Sequence, residues 1–245
     1  NEVILEKGLG HNLFAKALFD LVQYMQNNTD PRTPDEILSQ IPKYRRAAMF
    51  GTWVNEDAAA NCYNTRAEVL LRDANPKIKV AFSPKNPCQV NRGEWLDPYA
   101  KDVFKLANAV QVDHVVPLKN AFRSGAHAWT RERRCHYANY LGDDQHLLAV
   151  SGRENMSKGD SGPEAYLPPD AGYVCEYLAI WMRIKASWNL QFTNEESIAI
   201  ADALKIHSCS TSTTRPALAD IQKNRTGSLQ TNLKCEDPGV YPAQP

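Results

Sequence analysis

Six cysteines set the first limit on what this chain can fold into. Cys62, Cys88, Cys135, Cys175, Cys209 and Cys235 are widely spread, and no two stand close enough to form the CxxC half-site of a zinc cluster or a redox motif. An even number of distant cysteines suits three disulfides made in an oxidising compartment, and a chain that opens at Asn1 without an initiator Met fits a processed export product. The expectation is therefore a secreted protein, extracellular or periplasmic. Six buried free thiols in a cytosolic protein are the competing reading. Six cysteines allow fifteen pairings, so the connectivity does not follow from sequence. Proximity along the chain favours Cys62 with Cys88 and Cys175 with Cys209, leaving Cys135 for Cys235.

Composition narrows the class. The 245 residues are 43% hydrophobic and 23% charged, ordinary for a globular chain. The richest apolar stretches, residues 13–22 and 177–184, are interrupted by Lys16 and Asp20 or end at Arg183, short of the roughly 20 residues a membrane helix needs, so no membrane partner is expected. Lys plus Arg and Asp plus Glu are 28 each, so bulk charge shows no basic footprint of a nucleic-acid ligand. Any such footprint has to be local, and residues 123–134 carry Arg123, Arg131, Arg133 and Arg134 against the single Glu132.

Apolar residues Leu13, Phe14, Ala17, Leu18, Leu21, Val22 and Met25 recur at three- and four-residue spacing and predict an amphipathic helix. Thr33-Pro34-Asp35-Glu36 announces a second one, with Thr33 as cap and Glu36 reaching back to it. From residue 75 to 98 the breakers Pro76, Pro84, Pro87, Gly93 and Pro98 predict loops and short strands. Residues 111–116 and 147–150 read as buried strands, followed by a short helix near 153–158 and a long one around 173–188. Thr193-Asn194-Glu195-Glu196 is another capping box, opening a helix to Lys205. The Ser/Thr- and Pro-rich tail from Ser208 reads as an extended arm pinned by Cys209 and Cys235.

The chemistry gathers on Val112-Asp113-His114-Val115-Val116-Pro117. Adjacent strand residues point to opposite faces, so Asp113 and His114 can serve two functions, although a buried histidine bonded to a backbone carbonyl is the common alternative. Further on come His146, the strand at 147–150 and Asn155-Met156-Ser157-Lys158-Gly159-Asp160. This order of strand, strand and helix with polar residues at both ends resembles the HNH, or ββα-metal, nuclease superfamily, and within it a secreted branch. Ser124-Gly125-Ala126, Trp129, Cys62-Tyr63-Asn64-Thr65-Arg66 and Gly93-Glu94-Trp95-Leu96-Asp97-Pro98 belong to the same resemblance, which spans residues 62–209.

The resemblance implies an α+β fold: a ββα-metal core embedded in a mainly helical, disulfide-stabilised single domain. Residues 1–60 would be an N-terminal helical extension, 61–209 the nuclease domain and 210–245 an arm packed on it. It implies His114 as the general base that activates water, with Asp113 and Asn155 as ligands of one divalent ion. Hard oxygen ligands suit Mg²⁺ or Mn²⁺. The middle position, an Asn in that family, is His146 here. It either orients the base through a backbone hydrogen bond or acts as a third ligand, which would shift preference to Zn²⁺ or Ni²⁺. Lys158, three residues after Asn155, reads either as a catalytic-site lysine in reach of a bound phosphate or as a solvated one. Lys119, Arg123, Arg131 and Arg134 are the candidates to meet nucleic-acid backbone; Trp129 reads as core or as a base-stacking ring. Arg66 and Arg72 either join them or pair with Glu68 and Asp73. The activity implied is hydrolysis of DNA, and of RNA as a second candidate, with little sequence preference. A toxin nuclease held by an immunity protein and a catalytically silent nucleic-acid-binding or surface module are the rival readings.

Overall fold

The computed structural model describes residues 13–55, 61–209 and 235, with side chains from Leu18 onward. The arm expected over 210–245 lies outside the described residues except at Cys235, as do the outermost residues of the N-terminal extension and its 56–60 segment.

Helix α1 (Leu13–Asn27) turns Leu18, Leu21 and Met25 inward at three- and four-residue spacing and packs against α8. Strand β1 (Thr29–Asp30) follows, then α2 (Pro34–Gln40), which starts with the expected capping box of Thr33 and Glu36. Helix α3 (Arg46–Phe50) is one short turn that ends at Gly51, whose φ of 75° is a left-handed conformation a side chain would strain. That reversal carries the chain to Trp53, whose ring stacks on His114. Helix α4 (Thr65–Arg72) is capped by Asn64.

Strands β2 (Ala81–Ser83), β3 (Asn86–Leu96) and β4 (Val103–Leu106) form an antiparallel sheet in the order β2-β3-β4. The 11-residue β3 is longer than the breakers in its sequence suggest. Pro87 lies in its first residues, where a missing donor interrupts little of the ladder. Strand β5 (Val110–His114), α5 (Leu118–Arg123), α6 (Arg131–Ala138), β6 (Leu147–Ser151) and α7 (Gly152–Lys158) come next. Strands β5 and β6 pair antiparallel, with Asp113 opposite Leu148 and His114 opposite Leu147. Helix α7 is capped by Ser151 directly at the end of β6, and packs on both strands. Helix α8 (Val174–Trp188), β7 (Phe192–Thr193) and α9 (Asn194–Ile206) close the chain; β7 pairs parallel with β1, and α9 opens with the predicted capping box.

Period-two burial in β5 divides the core. Val110 and Val112 join Leu147 and Ala149 in a cluster with Val69, Leu70 and Trp95. A larger cluster gathers Tyr99, Val115, Val116 and most of α8, and also takes Leu18, Leu21, Met25 and Phe50. The N-terminal helices are therefore part of the main core. Three disulfides join Cys62 to Cys88, Cys135 to Cys235 and Cys175 to Cys209, the pairing that chain proximity favours. The fold is a mixed α/β one with small sheets, stapled by these bonds.

Candidate functional site

A cavity of about 410 Å³ opens at the end of β5, lined among others by Tyr44, Arg46, Gln111, Asp113, His114, Lys119, Asn155 and Asp160. A second one, of about 280 Å³, is lined by Arg46, Gly51, Trp53, His114 and Leu118, so His114 and Arg46 border both. Strand alternation sends Asp113 and His114 apart, and the different partners of the two side chains show it.

His114 reaches the C-terminal end of α6, where helix carbonyls lack an intrahelical donor. Its Nε2 lies 2.9 Å from the Ala138 carbonyl oxygen. A carbonyl only accepts, so Nε2 carries the proton and the neutral ring keeps its lone pair on Nδ1. No described residue bonds that Nδ1, and the atom is not sealed from solvent. The indole of Trp53 lies flat on the ring, with centroids 5.3 Å apart and planes 4° from parallel. Burial holds this imidazole well below its usual range, with the nearby His146, Arg46 and Lys158 acting in the same direction, so the ring is neutral near pH 7.

His146 uses the preceding carbonyl of the same helix end, with Nε2 donating to the Tyr137 oxygen at 2.7 Å. It is 1% exposed and ringed by Tyr137, Tyr140 and Trp188, and its Nδ1 is buried without a partner. The ring meets His114 edge-on at 6.5 Å between centroids. His146 thus braces the wall behind His114 and does not line the cavity. The alternative of a third metal ligand is corrected by this placement: one nitrogen is spent on a carbonyl and the other is closed in an aromatic cage.

Asp113 is 3% exposed, and both of its oxygens are engaged. Lys158 Nζ donates to Oδ1 at 2.8 Å, and Tyr99 donates its hydroxyl to Oδ2 at 2.6 Å. Burial pushes this carboxyl above its usual range, and the Lys158 ammonium draws it back. Lys158 is fully buried and also donates to the His114 carbonyl oxygen at 2.9 Å. The expectation that it faces solvent or a bound phosphate is therefore corrected. From the end of α7 its stem runs inward to the carboxylate, since a buried ammonium needs a counter-charge. Asn155 stands at the cavity, donating Nδ2 to Gln111 Oε1 at 2.7 Å and leaving its own oxygen without a partner among the described residues. Among the described residues no group of three His, Cys, Asp or Glu converges. The donor set at the cavity is the Asn155 carbonyl oxygen and the remaining lone pairs of Asp113. That set fits a hard divalent ion that keeps most of its waters.

The basic residues divide. Lys119 lines the cavity but forms an ion pair with Asp160 at 2.6 Å, and Gly159, with φ of 55°, makes the turn that sends Asp160 there. Arg123 pairs with Glu164 at 3.4 Å. Arg134 donates to the carbonyl oxygens of Met49, Ala126, His127 and Trp129, so this candidate for nucleic-acid contact is instead a tie between loops. Half-buried Arg131 brings its guanidinium beside Gly51 and lines neither of the two cavities. Arg72 pairs with Asp73 and donates to the Leu147 carbonyl, while Arg66 donates to those of Ala107 and Val110. Trp129 packs against Tyr137 and Trp188 under the Arg133 guanidinium, as a core ring does.

Asp113, His114, Lys119 and Asn155 are thus brought together; His146, Lys158, Arg123 and Arg134 do not line the cavity. Sequence reasoning did not find Arg46, Trp53, Tyr99 or Gln111. Gln111 was findable, being two residues before Asp113 on the same face of the strand. Arg46 and Trp53 carry no local signal, because they reach His114 from a distant segment.

The chain is matched by the family described as GmrSD restriction endonucleases, C-terminal domain, over residues 69–203. That is more than half of the 245 residues, so the chain belongs to this family, in agreement with the nuclease resemblance carried by its motifs. A relative from Arthroderma benhamiae, described as an uncharacterized secreted protein, is 40% identical over 155 residues, which cover 63% of this chain and 72% of the relative. No solved structure matches. With three disulfides and a secreted relative, the chain is a secreted protein.

Proposed function

We propose that this protein is a secreted, metal-dependent endonuclease that hydrolyses phosphodiester bonds of DNA with little sequence preference, using β5, β6 and α7 as a ββα core. The single observation that carries the reading is His114, an imidazole held in one tautomer by the Ala138 carbonyl, whose Nδ1 has no partner among the described residues and which lines a cavity together with Asp113 and Asn155. This is the state a general base needs.

His114 Nδ1 takes a proton from water, and the resulting hydroxide adds to phosphorus. The bond from phosphorus to the 3′ oxygen then breaks and that oxygen takes a proton from solvent, which leaves 5′-phosphate and 3′-hydroxyl ends. Asp113 and Asn155 would hold the divalent ion, Mg²⁺ or Mn²⁺ by the oxygen donors present. When bound, it supplies positive charge against that building on the phosphorane and the leaving oxygen. Lys158 and Tyr99 keep the carboxylate in one orientation. His146 steadies the α6 end on which His114 hangs.

The test is cleavage of supercoiled plasmid, single-stranded DNA and RNA side by side, with Mg²⁺, Mn²⁺ or EDTA. Nicking that requires the ion and is lost in His114→Ala supports the proposal. Absence of cleavage with every ion supports the silent-module reading instead.

A further inference from the structure

Each charge at the cavity beside β5 other than one has a partner. Lys119 is paired with Asp160, and Asp113 with the buried Lys158 behind it. Arg46 lines the same cavity, is exposed, and forms no ion pair among the described residues. Its guanidinium carbon lies 5.9 Å from the centroid of Trp53, whose ring is stacked on His114. The order Arg46, Trp53, His114 therefore places an uncompensated planar cation at the rim shared by both cavities, one aromatic ring from the base. Gly51 makes the reversal between the two, so the segment from Arg46 to Trp53 folds back on itself to present both side chains. Both residues lie outside the stretch that the endonuclease family matches, residues 69–203.

A phosphodiester entering this cavity meets one unmatched charge, and a guanidinium is the group whose forked donors fit two phosphate oxygens. We infer that Arg46, supplied by the N-terminal segment, is the residue that grips the non-bridging oxygens of the phosphate attacked beside His114. This inference rests on the nuclease reading, which it deepens. It also gives the N-terminal helices a role: they complete the site by bringing in the cation that the family core leaves out.

The test compares wild type, Arg46→Gln, which keeps part of the stem on Trp53, Arg46→Lys, and Lys105→Ala as an exposed control on β4. Two readouts are taken. The first is binding of a 12-base-pair duplex by fluorescence anisotropy in EDTA across a salt series. The second is hydrolysis of bis(p-nitrophenyl) phosphate, which has no bases or flanking phosphates, in Mn²⁺. Loss of one phosphate contact reduces the slope of log affinity against log salt by about 0.9. The expected result is that reduction in Arg46→Gln, a fall of roughly 10- to 100-fold in kcat/KM on the small ester, partial rescue by Arg46→Lys, and no change in Lys105→Ala. An unchanged slope together with unchanged ester hydrolysis overturns the inference. A reduced slope with unchanged ester hydrolysis also overturns it, because the contact is then to a flanking phosphate. If wild type hydrolyses nothing while the slope still falls in Arg46→Gln, the nuclease reading fails and Arg46 stands as a phosphate ligand.

Discussion

Replacing Lys158 by Met distinguishes a buried counter-charge from a lysine that reaches substrate. The side chain is fully buried, with Nζ at 2.8 Å from Asp113 Oδ1 and 2.9 Å from the His114 carbonyl oxygen. Met fills nearly the volume of the lysine stem, so little cavity is created. What disappears is a charge-assisted hydrogen bond worth roughly 1.5–3 kcal/mol and a second bond to a carbonyl worth about 1 kcal/mol. Asp113 is then a buried carboxylate with Tyr99 as its remaining donor. Breaking one side of a buried pair costs about 3–5 kcal/mol, two to four orders of magnitude in the folding constant. Urea unfolding at pH 7 and 25 °C, disulfides intact and EDTA present, reads this directly through the buried Trp95, Trp181 and Trp188. The double variant Asp113→Asn/Lys158→Met carries no stranded charge, so it should be more stable than the sum of its single variants by at least about 1 kcal/mol. A loss under about 1 kcal/mol in Lys158→Met, the scale of an exposed lysine, or strict additivity in the cycle would refute the sealed pair.

Four further outcomes follow from the same geometry. Burial holds His146 down to about 4 against an ordinary 6.5; the unfolded chain therefore binds the extra proton between these values, and stability is lost as pH falls from 6.5 through 4, by about 3 kcal/mol in full. His146→Asn should flatten that part of the stability-against-pH curve while keeping nuclease activity; an unchanged curve contradicts the burial argument. Arg134→Ala should lower stability by roughly 1–3 kcal/mol, since its guanidinium ties several carbonyls, and leave the salt slope of duplex binding as in wild type. A slope reduced by about one would restore Arg134 as a phosphate contact. Opening the Cys175–Cys209 bond, which closes a 34-residue loop between the start of α8 and the end of α9, by the double Ser variant should cost about 2–4 kcal/mol. Intact mass after alkylation without reduction should show no labelled thiol; six labelled cysteines overturn the secreted, disulfide-bonded reading.

Local rules made much of this protein legible. The capping boxes at Thr33 and Thr193 start helices because their chemistry is confined to four residues. The β-branched runs around Val112 and Leu147 became the paired strands β5 and β6, and the Asp-His pair sits at their end as expected. The roles drawn from spacing alone fared less well. Lys158 shares a helix with Asn155, yet its direction is decided by the buried carboxylate beneath, which helix spacing does not encode. Arg134 sits in the most basic stretch of the chain, but the carbonyl oxygens of Met49, Ala126, His127 and Trp129 that fold around it take its guanidinium internally.

The sequence by itself determined the capped helices, the two site strands and the place of the Asp113-His114 pair at their end, since each depends on residues near one another in the chain. Only the tertiary structure decided what surrounds that histidine. The C-terminal carbonyls of α6 select the His114 tautomer, and the same helix end takes His146 out of the ligand set. Trp53 and Arg46 arrive from more than fifty residues upstream. Tyr99, from the turn between β3 and β4, and Lys158, from the end of α7, hold the carboxylate from two sides. The reason is physical: donors and charges are paired across space, and burial makes an unpaired one costly, so the partner of each polar group in the site is chosen by packing of the whole chain.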